Sequence, residues 1–182
     1  MFNRTMLFVP AAVILASFAG VSTASAQNQS LCYTLSSLQG TYAVIGNYGA
    51  SVGIALGRRT VAADGSFTAA FVVNEPKAGS TAGERTLVNG TQTGSISLNC
   101  DGTGVVTRNL TLANGSTSTG TDDFVVTGAV VSHGQLRVTS IVDAQRTPST
   151  IVPGGVFLAR TWTRLPDWAD VLGAIPLMLP AR

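Results

Sequence analysis

The stretch Leu38-Gln-Gly-Thr-Tyr-Ala-Val-Ile45, followed by Ile54-Ala-Leu-Gly-Arg-Arg-Thr-Val61, Ala63-Asp-Gly-Ser66 and Phe67-Thr-Ala-Ala-Phe-Val-Val73, decides the fold. Short β-rich runs are separated first by a Gly-rich loop and then by a turn with Asp-Gly at its centre. They read as a strand, a loop and a β-hairpin. Phe67, Ala69, Phe71 and Val73 share one face with a period of two, the pattern of a strand buried on one side only.

The rest of the chain repeats that grammar. Strands are expected over about Thr41–Ile45, Val52–Val61, Phe67–Asn74, Arg85–Leu98, Val105–Leu112, Asp123–Val131, Gln135–Asp143 and Val156–Arg164. Asn89-Gly90 reads as a bulge that interrupts the fourth of these. In the sixth, Phe124, Val126 and Val130 fall on one side. In the seventh, Leu136, Val138 and Val142 face one way and Arg137, Thr139 and Asp143 the other. The connections are mostly hairpin-length and none holds a crossover helix, which argues against a parallel sheet. An antiparallel meander of eight strands disposes of its edges by closing, so the sequence predicts an all-β, eight-stranded up-and-down barrel. A two-sheet β-sandwich is the alternative that the same pattern allows.

The two ends differ from the middle. Residues 1–26 have the layout of a secretory signal peptide, with Arg4, an apolar run from Met6 to Ala19, and Ala24-Ser-Ala26 before Gln27. The apolar run is shorter than the roughly 20 residues a membrane-spanning helix needs, so no transmembrane segment is expected in the mature chain. At the other end, Pro166-Asp-Trp-Ala-Asp reads as a helix start. Trp168, Val171, Leu172 and Ile175 then form an apolar face before Pro176 and an apolar tail. The organisation is therefore a leader (1–26), a barrel (27–165), and a C-terminal helix and tail (166–182) that pads the barrel or docks on a protein partner.

Cleavage would leave ten basic and nine acidic residues in 156, a balance with no basic run and hence no support for a nucleic-acid partner. Both cysteines, Cys32 and Cys100, survive cleavage, and in an oxidising compartment, secreted or periplasmic, they are expected to pair.

Leu38-x-Gly-Thr-Tyr42, Gly57, Asp64-Gly65 and Leu98-Asn-Cys-Asp-Gly-Thr-Gly104 together resemble a group of small secreted bacterial β-barrel proteins of unknown function. In overall plan these are similar to the calycin-like barrels, lipocalins and allene oxide cyclases among them. The resemblance spans roughly residues 31–164. It implies a barrel and carries over no catalytic residue.

The residues themselves offer little catalysis. The single histidine, His133, sits in a hairpin turn between Ser132 and Gly134, pointing away from any cleft where a nucleophile and an acid would meet it. One histidine and scattered carboxylates do not compose a metal site, and no phosphate or dinucleotide fingerprint is present, so no cofactor is expected. Asp122-Asp123 reads as a polar strand start. Arg58-Arg59 is the polar pair to watch. Arg58 shares its side with Ile54 and Leu56: if that face is internal, the buried cation needs a carboxylate or an anionic ligand, and if external it is solvated.

The preferred reading is an exported, non-catalytic binding module for a small apolar or amphipathic molecule. Its candidate wall is Arg58, Phe67, Phe71, Val73, Phe124, Val126, Leu136, Val138 and Phe157. A barrel of eight strands either fills with side chains or holds one small ligand. The alternatives are a cyclase or isomerase with an interior ionisable group (Arg58 or Glu75), a cell-surface interaction protein, and an outer-membrane barrel, the last disfavoured by the absence of aromatic girdles.

Overall fold

A computed structural model describes residues 31–47, 53–147 and 157–167. The expected leader and the expected helix beyond Asp167 lie outside the described residues. So do Val52 and Val156, the first residues of strands two and eight as expected from sequence.

The order of elements is α1 (Leu35–Leu38), β1 (Gly40–Asn47), β2 (Ile54–Val61), β3 (Ser66–Pro76), β4 (Arg85–Leu98), β5 (Thr103–Leu112), β6 (Thr117–Ser132), β7 (Gln135–Gln145) and β8 (Ala159–Arg164). Each strand pairs antiparallel with its neighbour in sequence, and β8 pairs with β1, so the sheet is a closed barrel with no free edge. This is the up-and-down barrel expected from the turn spacing, and it excludes the sandwich.

Three hairpins are built by one chemical device. In Asp64-Gly65-Ser66 and Asp101-Gly102-Thr103 the aspartate Oδ1 accepts from the backbone N–H at 2.9 Å and the hydroxyl at 2.7 Å of the residue two ahead. Asn114-Gly115-Ser116 repeats the backbone bond at 2.9 Å. The glycine between has φ of +82°, +89° and +85° respectively, a region L side chains avoid.

Strand glycines have a different role. Phe67 pairs with Gly94, Phe71 with Gly90 and Phe124 with Gly104, and a Cβ added at any of these glycines would lie within 2.7 Å of the opposing ring. The rings lie across their glycine partners, a cross-strand packing that restores the contacts glycine lacks. Gly90 therefore sits in unbroken register. The bulge expected at Asn89-Gly90 is absent, because the glycine serves the Phe71 ring rather than a bend.

The irregularity lies instead between β6 and β7, where Val126 pairs with Ile141, Gly128 with Ser140 and Ala129 with Val138. Thr127 and Thr139 are each skipped, which reverses the facing of every later residue. Val130 is consequently 51% exposed and Val142 40%, while Asp143 is buried. The side assignments expected for Val130, Val142 and Asp143 are corrected accordingly.

The barrel interior is divided along its axis. At one end α1 acts as a plug: Leu38 is fully buried and packs with Tyr42, Val61, Phe67, Ile96, Val106, Phe124, Val138, Ile141 and Trp162. Tyr42 Oη donates to Leu38 O at 2.8 Å, and Arg164 donates to Val138 O at 2.6 Å and to Ser37 O at 3.3 Å. Gly40 is required there, since its φ is +146° and a Cβ would collide with the Arg164 guanidinium. A disulfide between Cys32 and Cys100 ties the segment before the plug to the β4–β5 turn. No sequence pattern announced α1, because four residues are too few to show helical periodicity.

Candidate functional site

The remainder of the interior is charged. Counting by twos from the Val61–Phe67 pair that flanks the first hairpin, β2 turns Ala55, Gly57, Arg59 and Val61 inward. Ile54 and Leu56 are therefore 59% and 54% exposed, and Arg58 is exposed with them. Of the two placements open for Arg58, the external one is observed, and its neighbour Arg59, 1% exposed, is the interior cation. Asp122 shares the inward face of β6 with Phe124 and is completely buried, which corrects its reading as a polar strand start.

Five ionisable side chains meet here: Arg59, Arg108, Asp122, Asp143 and Arg160, each at most 4% exposed. Arg108 Nε donates to Asp122 at 3.0 Å, and Arg160 bridges the two carboxylates, donating from Nε to Asp143 at 2.7 Å and pairing through Nη2 with Asp122. Trp162 Nε1 adds a bond to Asp143 at 2.6 Å. Gly46 and Gly120 make room for this, since a Cβ at either would press on the side chains of Arg160 and Arg108. Burial raises the Asp143 carboxyl above the usual range even against the pull of Arg160. For Arg160, burial works against the charged form, but Asp143 and Asp122 outweigh it and the guanidinium is held above its ordinary value.

Arg59 is placed differently. Its guanidinium lies between two rings, 4.0 Å from the centroid of Trp162 and 4.4 Å from that of Phe67. Nη2 donates to Gln92 Oε1 at 2.7 Å, while the buried Nε and Nη1 have no acceptor among the described residues. Burial, with Arg160 nearby, pushes its pKa down to about 9.

Beside Arg59, at the end of the barrel remote from α1, lies a cavity of about 30 Å³. Gly46, Ala55, Gly57, Ala69, Phe71 and Leu158 line it, and Arg59, Gln92 and Arg160 supply its polar side. A water needs roughly 10–15 Å³, so the space admits a group of two or three heavy atoms.

The other nominated residues are distributed elsewhere. Phe71 reaches the cavity, and Arg58 borders it from the strand. Val73 is buried on the inner face of β3 but outside the cavity lining. Phe67, Phe124 and Val138 belong to the plugged end, with Val126 packed against them. Leu136 borders a shallow groove outside that end, beside His133. Phe157 is 63% exposed and Leu158 takes the inward place beside it, one residue out of phase with the expectation. Glu75 is half-buried in β3, one residue before its end at Pro76. His133 is the one described non-glycine residue with positive φ (51°); its Nδ1 lies 3.1 Å from Ser132 Oγ, in an exposed turn.

Among the described residues no group of three or more His, Cys, Asp or Glu is placed to hold a metal, and no helix is long and apolar enough to cross a membrane. No family model matches the sequence, and no curated protein matches it. A solved structure described as a selenomethionine derivative of a biogenic amine-binding protein aligns over 75% of this chain and 69% of its own, at 11% identity and a TM-score of 0.41. So loose a likeness bears on neither ligand nor mechanism.

Proposed function

We propose that this chain is an exported, non-catalytic module that binds one small amphipathic molecule at the end of the barrel remote from α1. The observation that carries the reading is the cavity beside Arg59, lined by four small residues and by the polar side chains of Arg59, Gln92 and Arg160. Apolar contact comes from Val44, Ala55, Phe71 and Leu158, and polar contact from Arg59, Gln92 and Arg160. The space takes only one end of such a ligand, two or three heavy atoms, and the remainder of the ligand lies beyond it. A purely apolar ligand would leave the Arg59 donors unmatched. A barrel enzyme would need an interior group free to move a proton, whereas Asp122 and Asp143 both already accept from arginines. The leader pattern and the Cys32–Cys100 bridge support export.

Native mass spectrometry of protein exported by a host cell and purified without detergent tests this. The expected spectrum shows a chain beginning at Gln27, oxidised, with a small-molecule adduct lost on activation. A chain with no adduct, whose thermal stability no small amphipathic compound raises, would overturn the reading. A second reading, an interaction protein, draws on the outer face: Ile45 and Leu56 are cross-strand partners there, 56% and 54% exposed. Ile45→Thr with Leu56→Thr would then abolish a concentration-dependent association seen by sedimentation.

A further inference from the structure

The cluster in the barrel does not balance. Among the described residues three guanidiniums, Arg59, Arg108 and Arg160, face two carboxylates, Asp122 and Asp143, leaving one positive charge in excess. Both carboxylates are committed to Arg108 and Arg160. The excess therefore resides at Arg59, whose protein partner is the neutral Gln92. Burying a cation without a counter-charge is among the most unfavourable arrangements a fold can hold, and ring faces offset only part of it. Here the unbalanced cation has two buried N–H donors without acceptors among the described residues, and its side chain lines a cavity of about 30 Å³ together with those of Gln92 and Arg160.

We infer that this cavity is a subsite for one monovalent anion of carboxylate size, held by Arg59. The sign follows from the excess charge and the single negative charge from its magnitude. The size follows from a space of two or three heavy atoms, too small for a phosphate with its four oxygens. Gly57 and Ala69 line the space. The inference rests on the binding-module reading for what lies beyond the anion. The charge is either the carboxylate end of the small amphipathic ligand or a free inorganic ion such as chloride, and both use the same donors.

Calorimetry on the full mature chain in chloride-free buffer separates these, with sodium hexanoate, hexanamide, sodium formate and sodium chloride as titrants. The expected result is hexanoate binding roughly tenfold to a hundredfold more tightly than the isosteric hexanamide, the difference a charge-assisted bond makes. Arg59→Met should erase that preference. Ala55→Leu, which fills the cavity and leaves every charge in place, should weaken both compounds. Formate or chloride binding with no gain from the hexanoate chain supports the anion subsite and removes the amphipathic ligand. Hexanamide binding as tightly as hexanoate overturns the anion subsite and leaves the binding-module reading standing. If no titrant binds, the subsite is overturned. Should Arg59→Met fail to fold, the comparison of hexanoate with hexanamide on the unaltered chain decides alone, and Arg59→Lys tests the geometry with the charge retained.

Discussion

Replacing Arg59 with Met should cost the barrel little stability, whereas replacing Asp122 with Asn should damage it severely. The two positions are both buried and both charged, so burial alone would predict similar losses. The difference comes from their partners. Burial lowers the Arg59 pKa to about 9, so at about 1.4 kcal/mol per pH unit its charged form is held in the fold at a disadvantage on the order of 5 kcal/mol. That penalty is fully present at neutral pH and fades only as pH rises above about 9, where the folded form begins to lose the proton ahead of the unfolded one. Opposing it are two desolvated ring faces at roughly 2 kcal/mol each and a charge-assisted bond to Gln92 at roughly 1.5–3 kcal/mol. The sums nearly cancel, and a Met side chain still fills the slot between Trp162 and Phe67. The expected change for Arg59→Met is a loss within about 2 kcal/mol. Asp122→Asn leaves Arg108 without its carboxylate and Arg160 with one fewer, and should lose about 3–5 kcal/mol. Urea unfolding of the oxidised chain at neutral pH, followed by circular dichroism, measures both. A loss above about 3 kcal/mol for Arg59→Met would refute the reasoning by making Arg59 a structural keystone. A loss below about 1 kcal/mol for Asp122→Asn would refute it as well.

Other changes test the frame around the site. Cys32→Ser should lower the urea midpoint by the equivalent of about 4 kcal/mol, since the bridge closes a loop with a sequence separation of 68; an unchanged midpoint would show that the bridge does not constrain the unfolded chain. The Asp64 and Asp101 carboxyls are held below their ordinary range by bonds from Ser66 and Thr103, so their stabilisation is present above the unfolded value of about 3.8 and lost as pH falls through the folded one. Asp64→Asn with Asp101→Asn should therefore keep the turns and reduce the drop in melting temperature between pH 6 and pH 3, and an undiminished drop would assign it elsewhere. His133 and Gly134 both have positive φ, which Asn tolerates better than His at the first position. His133→Asn should gain a few tenths of a kcal/mol in urea unfolding, and a loss would mean that the imidazole contributes through its contact with Ser132.

The barrel was legible because its turns speak in local chemistry. Asp64-Gly65, Asp101-Gly102, Asn114-Gly115 and His133-Gly134 each mark a reversal that can be read without knowing what packs inside. The facing of β3 followed from Phe67, Ala69, Phe71 and Val73 for the same reason. The interior charges were harder to see. Ile54 and Leu56 look like core residues and left the facing of Arg58 open, whereas the short hairpin puts Val61 opposite Phe67 and thereby sends Arg59 inside. Parity counted from the turn would have found it. The same count from Phe124 would have placed Asp122 in the interior. Asp143 was beyond such counting, since the skipped Thr127 and Thr139 carry no turn signature and appear only once β6 and β7 are paired. The charge excess at Arg59 is a property of five residues on five strands, and no window of sequence contains it.

A crystal structure of the mature chain grown in bromide in place of chloride, with anomalous data, looks directly at the space beside Arg59. An anomalous peak within hydrogen-bonding reach of Arg59 Nε or Nη1, bordered by Gly57 and Ala69, is the predicted result. Density there that refines as water alone, or a cavity closed by the chain's own side chains, would contradict a ligand site built on an unbalanced cation.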